Sequence, residues 1–397
     1  MAQLSDRLNR LAPSATLAMS QKSNEMKAQG VDVINMSVGE PDFNTPDHIK
    51  EAGKKAIDDN FSKYSPVPGY MDLREAIVEK LKKENGLDYT TNEVIAGTGG
   101  KQGVCNTILA LVNPGDEVII PAPYWVSYPQ MAKLAGATPV VVRAGFEQDF
   151  KMTAEQLEAA ITPKTKMLIL CSPSNPTGSV YSQEELNALA EVILKHEDIF
   201  VLSDEIYEHI NYVGKAASIA SYPGMKERTI ICNGVSKAYA MTGWRLGWVA
   251  APAWIVKGIN KLQGQYTSGT CDVSQKAAVV AYVANQDCVE QMRVAFERRR
   301  DLIVKLAKDI PGLEVNVPQG AFYLFPKCSS FFGKSDGETV INNSTDFAMY
   351  ILEKAHVATV GGDAFGEPDC FRMSYATSDD NIREAMRRIK EVLAVLK

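Results

Sequence analysis

Histidine is scarce in this 397-residue chain: only four occur, and none stands in H-E-x-x-H or another close metal-ligand spacing. A zinc enzyme is therefore disfavoured, and no metal site is predicted. With so few histidines, a Ser-His-Asp hydrolase also has few candidate residues, which argues against a serine hydrolase. It has no P-loop sequence, and the glycine pattern that starts at Gly97 reaches Gln102 where a third glycine is needed. That absence disfavours an NAD-dependent dehydrogenase.

Long apolar runs and an excess of positive charge are also absent. The longest apolar run, residues 277–284, is too short to cross a bilayer, and residues 1–10 carry no apolar signal-peptide core. With 42 basic and 48 acidic residues, the net charge of −6 favours neither nucleic acid nor an anionic membrane as a partner. Seven scattered cysteines without a C-x-x-C pair indicate free thiols in a reducing compartment. We therefore expect a cytoplasmic protein that binds neither membranes nor nucleic acid.

Short apolar runs alternate with amphipathic stretches between about residues 90 and 250. This pattern is typical of an α/β fold, in which a mostly parallel sheet is covered by helices on both faces. The predicted strands are 93–96, 117–120, 139–142, 167–171, 199–202 and 229–232. A helix is predicted over 182–196, because apolar residues recur there at intervals of three and four.

A change of rhythm in the last part of the chain indicates a second, smaller domain. A long helical pattern covers 286–308. We expect residues 45–285 to form a large domain, and residues 1–44 together with 286–397 to form a small α+β domain. The charge run Glu297-Arg298-Arg299-Arg300 is expected to be a solvated helix face, because such runs seldom bind a specific partner.

Polar clusters follow four of the predicted strands. In open α/β sheets, ligands bind just beyond the carboxyl ends of the strands. The clusters at those positions are Gly99-Gly100-Lys101, Ser172–Gly178, Asp204–Tyr207 and Ser236-Lys237. Because the carboxyl ends of parallel strands meet at one edge of the sheet, we expect these clusters to form a single site.

Lys237 carries the strongest chemical signal in these clusters. It lies between Ser236 and Arg245, with glycines nearby, soon after an apolar strand. A lysine amine can form a Schiff base with the aldehyde of pyridoxal 5'-phosphate (PLP), while Ser236 and Arg245 hold the phosphate. PLP also needs an acid against its pyridinium nitrogen, and Asp204 follows an apolar strand where it can supply one. We therefore predict PLP as the cofactor, although a lone lysine is more often a solvated charge.

Several further side chains suit the same ligand. Tyr207 and Asn175 are candidate donors to the ring oxygen of PLP, and such hydrogen bonds stabilise its phenolate form. The turn Gly99-Gly100-Lys101, at a predicted helix start, offers backbone N–H groups to a phosphate. Trp125 can stack on the ring, or it can belong to the core. Arg372 alternates with apolar residues along a predicted strand, where a guanidinium either grips a carboxylate or makes a structural ion pair.

Together these motifs resemble the class I aminotransferases of PLP fold type I, and most closely the bacterial aspartate aminotransferase subgroup. The resemblance extends over nearly the whole chain. The segments that carry it are Ser14-Ala15-Thr16, Val38–Phe43, Lys63-Tyr64, Ser172–Gly178, Ser203–Tyr207, Ser236–Arg245 and Arg372. It implies a large domain with a mostly parallel seven-stranded sheet flanked by helices, together with a smaller α+β domain.

The resemblance also implies a role for each residue. The catalytic residues would be Lys237, Asp204 and Tyr207, with Lys237 carrying a proton between the substrate Cα and the cofactor. The residues that would hold PLP are Tyr64, Gly100, Lys101, Trp125, Asn175, Asp204, Tyr207, Ser236, Lys237 and Arg245. The residues that would bind substrate are Gly39, Lys101, Trp125, Asn175 and Arg372. Tyr64 would reach the phosphate in a neighbouring subunit, which implies a homodimer with shared active sites.

The reaction implied by the resemblance is L-aspartate + 2-oxoglutarate = oxaloacetate + L-glutamate, by a ping-pong mechanism. Arg372 would bind the α-carboxylate and Lys101 the side-chain carboxylate. Lysine is a less selective carboxylate ligand than arginine, and prephenate or aromatic amino acids are alternative substrates. A PLP carbon–sulfur lyase on the same fold is a second alternative. A non-catalytic regulator is disfavoured because the set of catalytic residues is complete.

Overall fold

The computed structural model describes residues 4–397 and contains twelve strands in that range. They are β1 (Ile34–Asn35), β2 (Val94–Gly97), β3 (Glu117–Ala122), β4 (Thr138–Arg143), β5 (Thr165–Cys171), β6 (Phe200–Asp204), β7 (Thr229–Gly234), β8 (Gly247–Ala250), β9 (Tyr323–Leu324), β10 (Val357–Ala358), β11 (Val360–Gly361) and β12 (Phe371–Ser374). Seven of them form the central sheet, in the order β2-β8-β7-β6-β5-β3-β4. Strand β8 runs antiparallel to both of its neighbours, and the other paired strands of this sheet are parallel.

The structure confirms the predicted mostly parallel seven-stranded sheet flanked by helices. The six strands predicted from apolar runs correspond to β2 to β7. Strand β8 was not predicted individually, because it begins within a segment rich in glycine and tryptophan. Its position between β2 and β7 completes the sheet.

Thirteen α-helices surround the sheets within the described residues. They are α1 (Asp6–Asn9), α2 (Ala15–Ala28), α3 (Asp47–Asp58), α4 (Met71–Lys80), α5 (Gly100–Leu111), α6 (Ser127–Leu134), α7 (Ala154–Ala160), α8 (Gln183–Leu194), α9 (Ala253–Tyr266), α10 (Asp272–Val283), α11 (Asp287–Lys308), α12 (Ser344–Tyr350) and α13 (Asp379–Leu393). The predicted helix over 182–196 is α8. Its N-cap is Ser182, whose hydroxyl accepts a hydrogen bond from the backbone N–H of Glu185 at 3.2 Å.

Alternate residues of the sheet face different helices. On β2, Val94 and Ala96 pack in one hydrophobic cluster with residues of α3, α4 and α10. Ile95, between them, packs in another cluster with residues of α5, α6 and α9. Successive side chains of a strand point to opposite faces, so both faces of this sheet are covered. The carboxyl edge of the sheet is therefore where a ligand cavity can open.

Two smaller sheets lie outside the central one: β1 pairs with β10, and β9, β12 and β11 form an antiparallel group. Their apolar residues pack in a cluster with residues of α11, α12 and α13. These elements belong to the N-terminal and C-terminal parts of the chain, whereas the central sheet spans β2 to β8. The domain boundaries at 44/45 and 285/286 remain a prediction.

The expectation that the charge run of α11 is a solvated face was wrong for two of its residues. The side chain of Arg299 is only 8% exposed and that of Arg300 only 12%, whereas Arg298 is 64% exposed. Arg299 turns inward because a carboxylate and two aromatic rings surround its guanidinium. Neighbouring residues of a helix point in different directions, so a charge run cannot lie on one face as a whole.

Two further features of the described residues concern membrane-spanning helices and cysteines. No helix within residues 4–397 is both long enough and apolar enough to span a membrane. All seven cysteines lie in this range, and all are free thiols.

Candidate active site

The carboxyl ends of β2, β5, β6 and β7 meet at one edge of the sheet, beside a cavity of about 300 Å³. This arrangement brings the four polar clusters together, as the strand pattern predicted. The predicted site residues that line the cavity are Gly39, Gly100, Lys101, Trp125, Asn175, Asp204, Tyr207, Ser236, Lys237, Arg245 and Arg372. Their individual roles follow from the contacts of each side chain.

Tyr64 is the predicted site residue that does not line this cavity. Its side chain is fully exposed and lies in a surface depression formed by residues 61–65 and 269–273. In a single chain it therefore contacts none of the predicted cofactor ligands. Its role toward a neighbouring subunit remains a prediction.

Lys237 places a buried amine in the cavity. Its Nζ donates a hydrogen bond to the carbonyl oxygen of Gly39 at 2.6 Å. Burial is the main cause that lowers the pKa of Lys237 to about 8; Glu40 opposes this effect, and the charges of Arg372 and Arg245 add to it. At pH 7 about a tenth of the amine is therefore unprotonated and able to accept a proton.

Asp204 ends β6 with its carboxylate in the cavity wall. Tyr128 donates its hydroxyl proton to Oδ2 at 2.7 Å, and the backbone N–H of Ile206 donates to Oδ1 at 3.3 Å. Burial raises the pKa of Asp204, which these two donors partly offset. No basic side chain within residues 4–397 forms a salt bridge with it. A buried carboxylate with only neutral donors is suited to a cationic partner supplied by a ligand.

The first turn of α5 and Arg245 form a site for an anion. Gly99 precedes the helix with a φ of 77°, a conformation that favours glycine. A Cβ at Gly247 would lie 2.3 Å from the backbone N of Gly100, so only glycine allows β8 to pass so close to the helix start. The Arg245 guanidinium donates to the Thr242 carbonyl at 2.9 Å and lies beside Gly99. Helix N-termini and guanidinium groups both attract phosphate.

Arg372 lies on β12 with its side chain almost fully buried. It donates to Oδ1 of Asn175 at 2.8 Å and to the carbonyl oxygen of Ser37 at 2.5 Å. Its Nε has no hydrogen-bond partner among residues 4–397, and the guanidinium carbon lies 4.6 Å from the centre of the Tyr323 ring. Burial lowers the pKa of Arg372, which shows how little solvent reaches it. Such a guanidinium is suited to bind a carboxylate that enters the cavity.

Tyr323 is a cavity residue to which the sequence alone gave no role. Its hydroxyl and that of Tyr207 are 2.7 Å apart and form a hydrogen bond, and burial raises the pKa of both groups. A Cβ at Gly39 would lie 2.1 Å from the Tyr323 hydroxyl, which explains why glycine is needed there. Tyr323 belongs to the apolar run 320–325, in which nothing sets it apart from its neighbours.

Lys101 and Trp125 line another wall of the cavity. The Nζ of Lys101 lies 4.9 Å from the centre of a Trp125 ring, and Lys101 makes no salt bridge with any residue in 4–397. Burial lowers the pKa of Lys101, and the charge of Arg245 lowers it further. Thr16 and Leu17, from the N-terminal segment, line the cavity as well. Lys101 is therefore a cation that is available to a ligand.

A second cluster of ionisable side chains lies outside the cavity. Glu84, Glu208 and His209 bring metal-ligating atoms within 4.8 Å of one another. However, Glu208 already accepts hydrogen bonds from Lys80 and Asn85. Burial alone would raise the pKa of Glu208, but Lys80 and His209 lower it to about 2. The cluster is therefore a buried ion pair whose cation is Lys80.

Comparison with known proteins places this geometry in a family. The family model for aminotransferase class I and II matches residues 31–389. The chain is 49% identical to an aspartate/prephenate aminotransferase of Cereibacter sphaeroides, and the alignment covers 100% of both chains. It is 48% identical to a bifunctional aspartate aminotransferase and glutamate/aspartate-prephenate aminotransferase of Petunia hybrida, covering 99% of this chain and 83% of that one.

Solved structures agree with this assignment. The aspartate aminotransferase of Rhizobium meliloti superposes with a TM-score of 0.97 at 43% identity, covering 100% of both chains. That of Thermus thermophilus with maleate superposes with a TM-score of 0.93 at 41% identity, covering 99% of this chain and 100% of that one. The relatives are named as transferases, which is the predicted enzyme class and not the alternative lyase. The chain belongs to the class I and II aminotransferase family, and it is an aminotransferase.

Proposed function

We propose that this aminotransferase uses PLP to exchange the amino group between L-aspartate and 2-oxoglutarate. The observation that carries the proposal is that one cavity contains the buried amine of Lys237, the carboxylate of Asp204 and the guanidinium of Arg372. PLP, when bound, supplies an aldehyde for amino groups and a protonated ring that withdraws electrons from the substrate Cα. The names of the relatives from Cereibacter sphaeroides and Petunia hybrida support aspartate as a substrate.

The residues present fit PLP. The carboxylate of Asp204, which has only neutral donors, would hold the ring nitrogen. The N-terminus of α5 and Arg245 would hold the phosphate. The residues proposed to hold the cofactor are Gly100, Lys101, Trp125, Asn175, Asp204, Tyr207, Ser236, Lys237 and Arg245, with Tyr64 from a second subunit.

Lys237 would move the proton in each half-reaction. Its amine, held by the Gly39 carbonyl at 2.6 Å, would remove the proton from Cα when L-aspartate gives up its amino group. It would return a proton to Cα when 2-oxoglutarate becomes L-glutamate. A pKa of about 8 leaves enough free amine near neutral pH for the first step.

Two cations would select the substrate. Arg372 would bind the α-carboxylate that all amino acids share, with Asn175 and Gly39 beside it. Lys101 would bind the side-chain carboxylate. Thr16 and Leu17 of the N-terminal segment line the cavity and would help to exclude water from it.

The assembly and location are also proposals. A homodimer would allow Tyr64, which is fully exposed, to reach the phosphate in a second copy of the chain. The free state of all seven cysteines is consistent with a cytoplasmic location. A large domain of residues 45–285 and a small one of 1–44 and 286–397 would place the cavity between them.

We expect the visible absorbance of PLP-loaded protein to report both half-reactions. L-Aspartate should abolish the band near-stoichiometrically, because the amino group is transferred to the cofactor, and 2-oxoglutarate should restore it. The measurement is an absorbance scan after each addition. A carbon–sulfur lyase would show no recovery that depends on 2-oxoglutarate. Protein that gains no band when incubated with PLP would refute the proposed cofactor.

Prephenate is the second candidate substrate, since the relative from Cereibacter sphaeroides is named for it. It can be tested in the same cuvette, by adding prephenate in place of 2-oxoglutarate after L-aspartate. Recovery of the band with both acceptors would establish a dual specificity. Recovery with 2-oxoglutarate alone would exclude prephenate as an acceptor.

Changing Lys101 to methionine should alter the choice of substrate. The variant keeps an unbranched side chain against Trp125 but loses the charge. We expect kcat/KM for L-aspartate to fall by about 10–100-fold, the loss typical of a hydrogen bond to a charged group. The kcat/KM for L-tyrosine, measured in the same single-turnover assay, should change less than threefold. Equal losses for both amino acids would contradict the assignment of Lys101 to the side-chain carboxylate.

A further inference from the structure

The segment of residues 37–42 contacts two of the functional groups in the cavity through its backbone. The carbonyl oxygen of Ser37 accepts a hydrogen bond from Arg372, and that of Gly39 accepts one from Lys237. The segment is neither helix nor strand, since residues 36–46 have no regular structure. Because the segment has no helix or strand hydrogen bonds, contacts with other parts of the chain must hold its two carbonyl groups in position for Arg372 and Lys237.

Arg299 of α11 makes such a contact. Its NH1 and NH2 donate to Oδ1 and Oδ2 of Asp42, at 2.7 and 2.9 Å, in a bidentate pair. Its guanidinium carbon lies 5.0 Å from the centre of the Phe43 ring and 5.8 Å from that of Phe296. Asp379 is a second carboxylate nearby, 3.6 Å from Nε. The aromatic faces and the bidentate geometry together fix both the position and the orientation of Asp42.

Forming this ion pair costs desolvation free energy, which an apolar contact between the same elements would not require. Arg299 is 8% exposed, so its charge has been removed from water, and a buried ion pair is often no more stable than an apolar pair of the same size. What such a pair supplies is a defined geometry between the elements that carry its members. Here those elements are α11 and the segment that carries Ser37 and Gly39.

We propose that Arg299 is a positioning residue for the aminotransferase reaction: through Asp42 it holds the 37–42 segment so that its carbonyl oxygens orient Arg372 and Lys237. Arg299 itself lies outside the cavity lining. On the N-terminal side of Gly39, Ser37 donates to the Asn35 side chain, and the Met36 carbonyl accepts from the Ser374 N–H. On the other side, Glu40 accepts a hydrogen bond from Thr242. The proposal rests on the proposed function, because it assigns Arg372 to a substrate carboxylate.

The test compares Arg299→Lys with Arg298→Lys. The control changes the neighbouring residue of the same helix, which is 64% exposed and donates to Asp379 at 2.9 Å. Lysine keeps the charge at position 299 but cannot form the bidentate pair. Two dissociation constants are measured: maleate on PLP-loaded protein by calorimetry, and PLP on the cofactor-free protein by absorbance. Maleate is a dicarboxylate that cannot react, so its affinity reports the carboxylate site alone.

We expect Arg299→Lys to weaken maleate binding by about tenfold relative to Arg298→Lys, the effect of one weakened charge-assisted hydrogen bond. The affinity for PLP should fall less than the affinity for maleate, because Lys237 is the one proposed PLP-holding group that donates a hydrogen bond to the 37–42 segment. Equal maleate affinities in the two variants would overturn the proposal. So would an equal loss of maleate and PLP affinity, which indicates general damage to the fold.

A second variant, Asp42→Asn, tests the same ion pair independently if Arg299→Lys fails to fold. Asp42→Asn keeps the shape of the side chain, which is 31% exposed, and removes only its charge. It should weaken maleate binding in the same direction, and unchanged binding would overturn the proposal. If the wild-type protein binds PLP but not maleate, the assignment of Arg372 fails and the inference fails with it. If it binds neither, the proposed function is wrong as a whole.

Discussion

Lys237→Ala should remove nearly all amino-group transfer, lowering the single-turnover rate with L-aspartate by about 10⁴-fold, the upper end of what a positioned acid–base group contributes. The reason is that the buried hydroxyls of the cavity cannot replace the amine as a base. Burial raises the pKa of the hydroxyls of Tyr128, Tyr207 and Tyr323, so they remain protonated. Asp204 is already held by the Tyr128 hydroxyl.

The control for this measurement is a variant of a lysine that lies outside the cavity. Lys276→Ala serves, because Lys276 pairs with Asp72 at 2.6 Å and its Nζ lies 4.3 Å from the centre of the Tyr70 ring, outside the cavity lining. Its turnover should stay within threefold of the wild type. Lys237→Ala protein with wild-type turnover would remove the basis of the proposed mechanism.

Much of this site was predictable because its residues follow buried strands. Asp204 and Lys237 come after the apolar runs of β6 and β7, and the parallel order of these strands brings their carboxyl ends together. Apolar runs and the polar residues beyond them are local signals, which one sequence displays directly. Asn175, beyond β5, was found in the same way.

The contacts that sequence reasoning missed join distant parts of the chain. Tyr207 and Tyr323 are 116 residues apart, and Arg299 and Asp42 are 257 apart. Neither Tyr323 nor Arg299 differs from its neighbours in a way that sets it apart: one lies in an apolar run and the other in a charge run. Only the packing of the small sheets and α11 against the central sheet brings these partners together, and no local pattern encodes that packing.

Tyr64 illustrates a different limit. The resemblance to the aminotransferase family gave it a role, but its side chain is fully exposed in a single chain. The partner proposed for Tyr64 lies in another copy of the chain, so the structure of one chain does not contain the contact. It can therefore be tested only on the assembled protein.

Arg372→Lys should impair every amino-acid substrate, in contrast to the change at Lys101. The guanidinium donates to Asn175 and to the Ser37 carbonyl with two of its nitrogens, and within the part of the chain that the structure describes its Nε has no partner. A lysine ammonium is a compact charge that cannot reach three directions in one plane. We expect kcat/KM to fall by about 100-fold or more, as is typical when one partner of a buried, hydrogen-bonded charge pair is disrupted.

The size of this loss should be the same for L-aspartate and L-tyrosine, because both carry the α-carboxylate that Arg372 is proposed to bind. Single-turnover rates for the two amino acids test this directly. Arg143→Lys is the control: it disrupts a bidentate pair with Glu367 on a side chain that is 53% exposed and outside the cavity, so rates should not change. A loss confined to L-aspartate would contradict this assignment. It would indicate that Arg372 binds the side-chain carboxylate and Lys101 the α-carboxylate, because L-aspartate carries a side-chain carboxylate and L-tyrosine does not.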